Sequence, residues 1–240
     1  MIGIQTKTSG KAFDVASYRG PTSPSTTTLY DKSRYTNNGT LVNVTWSQLP
    51  SGLWTSRYDG TAYANIDVAL ASLATTTKGT WMTWVKLDDA TPVAACYIVA
   101  FGDTDADESI YIRIDTTGKV SAKLTSGGVV KWSLTSDNAI MADGINSHIC
   151  LIHDGISPIL LINGVEVAIT FSVEVDKTLW FSSCSGLDNG RLGCLNTNTL
   201  GNLGFINNGN TALTKFYTYV LTQGQIINIY ENEKTLFGYR

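Results

Sequence analysis

The sequence predicts an all-β protein: a two-sheet antiparallel jelly-roll sandwich with one short C-terminal helix. Three observations predict it. Apolar and polar residues alternate with a period of two over several short segments, as strands with one buried face require. Turn pairs such as Asp154-Gly155 and Asn163-Gly164 separate apolar runs at hairpin spacing. Finally, only 15% of the 240 residues are charged, against about 25% in an average domain. Thr, Ser, Asn and Gly supply the polarity instead, and they suit strands and turns better than long helices. A many-stranded antiparallel chain buries its apolar stripes by stacking two sheets.

Along the chain, residues 1–28 are irregular and rich in Ser, Thr, Gly and Pro, ending in Gly20-Pro21-Thr22-Ser23-Pro24-Ser25. They read as an extended N-terminal arm. Ile110, Ile112 and Ile114 then alternate with Tyr111, Arg113 and Asp115. After Thr117-Gly118-Lys119, Val120, Ala122 and Leu124 alternate with Ser121 and Lys123. That is a half-buried hairpin. A meander follows: a strand from His148 to His153, a turn, Ile159 to Ile162, then Asn163-Gly164 leading into Val165–Ile169. Asn-Gly favours a type I′ turn because both central residues need positive φ. Near the C-terminus Thr222 and Gln225 fit a capping box, and Leu221 with Ile226 fits a hydrophobic staple, so a helix should span about Gln223 to Glu233. No linker or repeat divides residues 29–235, which read as one domain.

Several classes are excluded. The net charge is −3 and no basic stripe is present, which argues against a nucleic-acid partner. No apolar run approaches the roughly 20 residues of a membrane-crossing helix, so no membrane partner is expected. The segment Met1–Lys7 lacks the apolar stretch of a signal peptide. Cys96 and Cys150 lie in apolar runs and read as buried free thiols. Cys184 and Cys194 flank a Gly/Asp/Asn loop and are either two more free thiols or a pair.

Five segments, in order, resemble the laminin-G-like, concanavalin A-like lectin/glucanase family. Leu29 to Leu41 contains Asp31-Lys32-Ser33 and Asn37-Asn38-Gly39-Thr40-Leu41, similar to "D-x-S-x-x-x-N-x-G-T-L". Tyr58-Asp59-Gly60-Thr61-Ala62-Tyr63 is similar to "F-D-G-x-x-Y", and Thr80 to Lys86 to "T-x-x-x-W-V-K" with Trp84 as the family tryptophan. His148-Ile149 with Leu161-Ile162-Asn163-Gly164 resembles "H-[IV] … Y-[VI]-[DN]-G". Phe216 to Thr222, with Gln225, Ile226 and Tyr230, resembles the closing strand and helix. The resemblance implies that residues 29–240 form a laminin-G-like jelly-roll domain, in a family that mostly binds glycans, proteins or cell surfaces and also includes glycoside hydrolases.

Hydrolysis needs two carboxylates flanking the glycosidic bond. Related glucanases use Glu-x-Asp-x-Glu on one strand; the nearest stretch here is Glu174-Val175-Asp176-Lys177-Thr178, where Thr178 replaces the second Glu and Glu166 is the next acid upstream. The expectation is therefore not an enzyme, with no catalytic residues. His148 and His153 are five apart in one strand and face opposite ways. The loop holding Asp103, Asp105, Asp107 and Glu108 is the densest acidic cluster and could ligate Ca²⁺, the one cofactor considered. Against it, an acid common in the family before the closing strand is missing, where Leu213-Thr214-Lys215 stand. For a glycan, aromatic platforms are needed; Trp46, Trp54 and Tyr63 are the candidates, whereas Trp84 belongs to the core. Asn38-Gly39-Thr40 and Asn43-Val44-Thr45 match glycosylation acceptors but, without a secretion signal, read as unmodified turns.

The leading expectation is a non-catalytic structural or attachment protein on a large assembly, such as a virion decoration or fibre component. It would bind a protein partner through the arm, bind glycans as well, and act as an oligomer at a virion surface or outside cells. The second expectation is a free carbohydrate-binding or adhesion module; the third is a glycoside hydrolase.

Overall fold

The structure, a computed structural model, describes residues 10–105, 107–197 and 201–240. Two antiparallel sheets face each other. In spatial order the first contains Val165–Glu166, Pro158–Ile162, Ser147–His153, Gly79–Leu87, Gly209–Tyr217, Trp54–Tyr58 and Thr45–Gln48, and Lys11–Asp14 pairs with the far half of Gly209–Tyr217. The second contains Ile169–Glu174, Val129–Ser136, Val120–Ser126, Ser109–Ile114, Cys96–Gly102, Asn189–Leu192, Tyr63–Asn65, Gly39–Val42 and Thr28–Leu29. This is the jelly-roll sandwich that the alternation predicts.

The core lies between the sheets. Trp81, Val85, Ile149, Leu151 and Phe216 from the first sheet meet Phe101, Ile110, Ile112, Leu124, Trp132 and Leu134 from the second. The central strand Gly79–Leu87 is buried on both sides. Trp81 points into the core, and Trp84, three residues on, points outward, as a two-residue period dictates. There Trp84 stacks on Phe237 at 4.0 Å and on Tyr230 at 5.6 Å. The family tryptophan is thus buried, in a second cluster beneath the C-terminal helix rather than between the sheets.

That helix spans Gln223–Lys234. Thr222 caps it with a reciprocal capping box to Gln225, and Leu221 and Ile226 are buried together. Glu233 fixes the helix to the sheet: it accepts the Trp84 indole N–H at 2.8 Å and pairs with the Lys215 ammonium. The meander behaves as predicted through Asn163 (φ +52°) and Gly164 (φ +79°), the positive pair of a type I′ turn. Its final strand does not continue to Ile169. It ends at Glu166, and the chain crosses to pair Ile169–Glu174 with the second sheet.

The N-terminal segment departs from expectation. It is part of the sandwich rather than an arm leaving it. Lys11 pairs with Tyr217 and Asp14 with Lys215. Ala12 and Phe13 are fully buried, and Phe13 stacks on Phe216 at 5.3 Å. Asp31 holds the segment down. Its buried carboxylate accepts the backbone N–H groups of Asp14, Ser33 and Asn37 at 2.7–2.8 Å, while Asn37 Nδ2 donates to the Ala12 carbonyl. The spacing of Asp, Ser and Asn in this stretch is therefore a clasp for the strand before it. Residues 1–9 of the expected arm lie outside the described residues.

Candidate ligand-binding face

In the second sheet, Ile110, Ile112, Ala122 and Leu134 point into the core, so their neighbours point outward. Register lines these up in two rows. One holds Tyr97, Arg113, Ser121 and Thr135; the next holds Ala100, Tyr111, Lys123 and Ser133. A bulge between Tyr97 and Val99 keeps Ile98 and Val99 both inside and restores Ala100 to the outer face.

The outer face is aromatic, cationic and hydroxylated. Tyr97 and Tyr111 meet edge-on with centroids 4.8 Å apart. The Arg113 guanidinium lies 5.7 Å, and the Lys123 ammonium 5.6 Å, from the Tyr111 ring. Ser121 and Thr135 share a hydroxyl hydrogen bond of 2.9 Å. Burial pushes the Tyr111 hydroxyl pKa up. Burial also pulls the Lys123 ammonium down; nearby Arg113 adds to this and Asp107 opposes it.

A ribbon of Leu195–Asn196 and Asn202–Leu203 roofs one end of the face. Leu195 packs on Ala100 and Tyr111, and the Tyr97 N–H donates to the Gly204 carbonyl at 2.8 Å. Gly102 lets the ribbon approach, because any Cβ there would strike the Asn196 carbonyl. The Ser133, Thr135 and Lys123 side of the face is half-open to solvent.

Of the sequence-predicted residues, Tyr63 belongs to this face. It is half-buried, 5.5 Å beneath the Arg191 guanidinium and 6.3 Å from Phe205. Trp46 and Trp54 lie instead on the first sheet, under the N-terminal segment. Their indole N–H groups donate to the carbonyls of Ser25 (2.8 Å) and Gly20 (3.0 Å), and Tyr18 meets Trp46 edge-on at 5.1 Å. They hold the chain's own backbone where a sugar platform was expected. Tyr97, Tyr111, Arg113 and Lys123 were not singled out from the sequence. The available signal was the alternation of the 110–124 hairpin, whose polar side contains two cations and an aromatic.

The acidic loop splits in two, with only Asp103 and Glu108 converging, beside Gly186. Asp105 and Asp107 are exposed, while Asp103 and Glu108 turn inward. Glu108 accepts the N–H groups of Gly127 (3.1 Å) and Gly186 (3.0 Å), and Asp103 accepts that of Asp105 (2.8 Å). These carboxylates brace three loops. Among the described residues, no group of three or more His, Cys, Asp or Glu side chains is placed to hold a metal ion.

Of the acids weighed for hydrolysis, Glu166 lies in the first sheet and Glu174 in the second. Glu174 ends its strand and pairs with Lys177, and Asp176 caps Thr178. All four cysteines are buried and free, Cys184 and Cys194 included. His148 faces Trp84 and Tyr230 on the helix side. His153 faces inward against Trp180, with Nε2 2.8 Å from the Lys177 carbonyl.

The family model for the concanavalin A-like lectin/glucanases superfamily matches residues 59–226. The chain belongs to that superfamily. A search of curated proteins found no matching sequence. Among solved structures, the carbohydrate-binding module CBM40 of the Ruminococcus gnavus IT-sialidase matches with a TM-score of 0.57 and 17% identity, over 79% of this chain and 97% of that one; the same module is also known bound to α2,3-sialyllactose. The receptor-binding domain of the botulinum neurotoxin C/D mosaic serotype matches with a TM-score of 0.64 and 11% identity, over 94% of this chain and 52% of that one. The NanB sialidase of Streptococcus pneumoniae, as its K499G mutant, matches with a TM-score of 0.61 and 14% identity, over 72% of this chain; the match spans 27% of the sialidase chain. At these identities the likeness is one of fold.

Proposed function

We propose that the protein is a carbohydrate-binding module that holds a sugar on the outer face of its nine-stranded sheet. The observation that carries this is the row arrangement of Tyr97, Tyr111, Arg113 and Lys123 beside the hydroxyls of Ser121, Ser133 and Thr135. A sugar presents C–H patches to aromatic edges and hydroxyls to side-chain donors and acceptors; Tyr97, Arg113, Lys123, Ser133 and Thr135 are half-exposed here on rigid strands, with Tyr111 and Ser121 buried beneath them. The match to a carbohydrate-binding module along nearly all of that module's length supports the same reading.

The role is binding without catalysis, since the lining is hydroxyl, aromatic and cationic where hydrolysis needs two facing carboxylates. A setting outside cells, where glycans are displayed, goes with this role. The expectation of a virion decoration leaned on a free N-terminal arm. With Lys11–Asp14 paired in the first sheet and the Gly20 and Ser25 carbonyls held by Trp54 and Trp46, that support is gone.

A glycan array followed by amide chemical-shift mapping tests the proposal. The expected result is binding that shifts amides of strands Ser109–Ile114, Val120–Ser126 and Val129–Ser136, and that Ser133→Tyr blocks by filling the open side. Folded protein that binds no glycan, or binding that Ser133→Tyr leaves intact, would overturn it.

A further inference from the structure

We infer that the sugar held on this face bears an anionic group, received by Arg113 and Lys123. The inference rests on the proposed binding face and names the class of sugar it takes. Its starting point is an imbalance of charge. The chain has only 17 Lys and Arg among 240 residues and a net charge of −3. Most of its partly buried cations are paired: Arg57 with Asp88, Arg191 with Asp67, Lys215 with Glu233. Arg113 and Lys123 are set together on the same outward patch, flanking one tyrosine ring. Among the described residues, neither enters an ion pair.

Two like charges half-buried side by side repel, and each loses hydration. Among the described residues, the buried Arg113 Nε has no hydrogen-bond partner. A buried donor left without an acceptor is a cost that a ligand acceptor removes. Asp107 is the acid that acts on Lys123 and Tyr111 through space, yet it is exposed and forms no ion pair with Lys123. A neutral sugar would be served by the half-exposed Ser133, Thr135 and Tyr97 alone. The two cations add a planar guanidinium fork and a point charge, the pair that fits a carboxylate or a sulfate. Either group on a sugar ring would neutralise the patch while the ring rests against the aromatic edge.

The experiment titrates lactose, 3′-sialyllactose and 3′-sulfolactose into the full chain by calorimetry or NMR, at low and high salt. The variants are Arg113→Gln, Lys123→Gln, the double variant, Asp107→Asn, and Arg34→Gln as a remote exposed control. Thermal unfolding confirms that each is folded. The expected result is that a charged sugar binds about tenfold or more tighter than lactose, as a charge-assisted contact implies, with the margin shrinking at high salt. Comparing the two charged sugars tells carboxylate from sulfate.

In the double variant the ratio of charged-sugar to lactose affinity should fall to about one. Asp107→Asn, an exposed change that leaves the core untouched, should widen the margin. Equal binding of all three sugars would overturn the inference and leave the binding module standing. So would a margin that survives in the double variant or fails to widen with Asp107→Asn. Binding of none of the three would count against the inference, and a blank glycan array would remove the binding face itself.

Discussion

Replacing Phe13 by Ala should destabilise the whole sandwich, although Phe13 lies near the start of the chain. The ring is fully buried and stacks on Phe216 in the core between the sheets. Truncating a fully buried Phe to Ala costs about 3–5 kcal/mol from lost transfer energy and the cavity left behind. In a domain of this size each kcal/mol lowers Tm by about 2–4 °C, so the melting point should fall by about 6–20 °C. Deleting residues 1–25 should cost more. It removes the strand paired with Lys215–Tyr217, the Tyr18 ring against Trp46, and the Ser25 and Gly20 carbonyls that satisfy two half-buried indoles. Against a total stability of about 5–15 kcal/mol, the truncated chain should be largely unfolded at 37 °C. Circular dichroism melting and urea titration measure both variants. A truncated protein that melts within about 2 °C of the parent, less than the effect of 1 kcal/mol, would refute the assignment of this segment to the sandwich.

Two further outcomes follow from buried groups. His148 is held neutral, its pKa lowered from 6.5 to about 3 by burial, with the Lys215 charge adding to the effect. The unfolded chain takes up this proton below about 6.5 and the native state does not, so stability is full above that pH and declines as pH falls toward 3. The loss is about 2–3 kcal/mol by pH 4.5. His153 is also lowered by burial and acts in the same direction. Among the described residues both His148 ring nitrogens lack hydrogen-bond partners, so His148→Phe should be tolerated at pH 7 and should flatten the acid limb of a urea-midpoint profile; an unchanged slope would refute this. The four thiols are all buried, and burial pushes Cys96 to about 11 and Cys184 and Cys194 to about 12. An aromatic disulfide reagent should therefore label none of them in the native protein and all four in denaturant; rapid native labelling of any one would contradict its placement.

Local features of the fold could be read from sequence because their causes are local. The alternation of Ile110, Ile112 and Ile114, the positive-φ pair Asn163-Gly164 and the Thr222–Gln225 capping box depend on neighbours a few residues away. What misled depends on distant partners. Asp103, Asp105, Asp107 and Glu108 crowd one loop and resemble a ligand set, but Glu108 is engaged by N–H groups 19 and 78 residues away. Trp46 and Trp54 look like free aromatics until residues 20 and 25 fold across them. The binding face shows the same limit. Arg113 and Lys123 sit in a correctly predicted hairpin, yet that neither forms an ion pair among the described residues emerges only when all the neighbouring strands are in place.

The strand Gly209–Tyr217 also sets a schedule for folding. It lies at the centre of the first sheet, with Gly79–Leu87 on one edge and both Trp54–Tyr58 and Lys11–Asp14 on the other. No sheet containing Lys11 can close until Tyr217, its partner, has been synthesised. At about 5–20 residues per second on the ribosome, that interval is about 10–40 s. During it, Phe13 and the apolar face of the central strand have no native cover. Closure of the first sheet should therefore come late, with the slow kinetics of a high contact order, and chaperone demand should peak as Gly209–Tyr217 emerges.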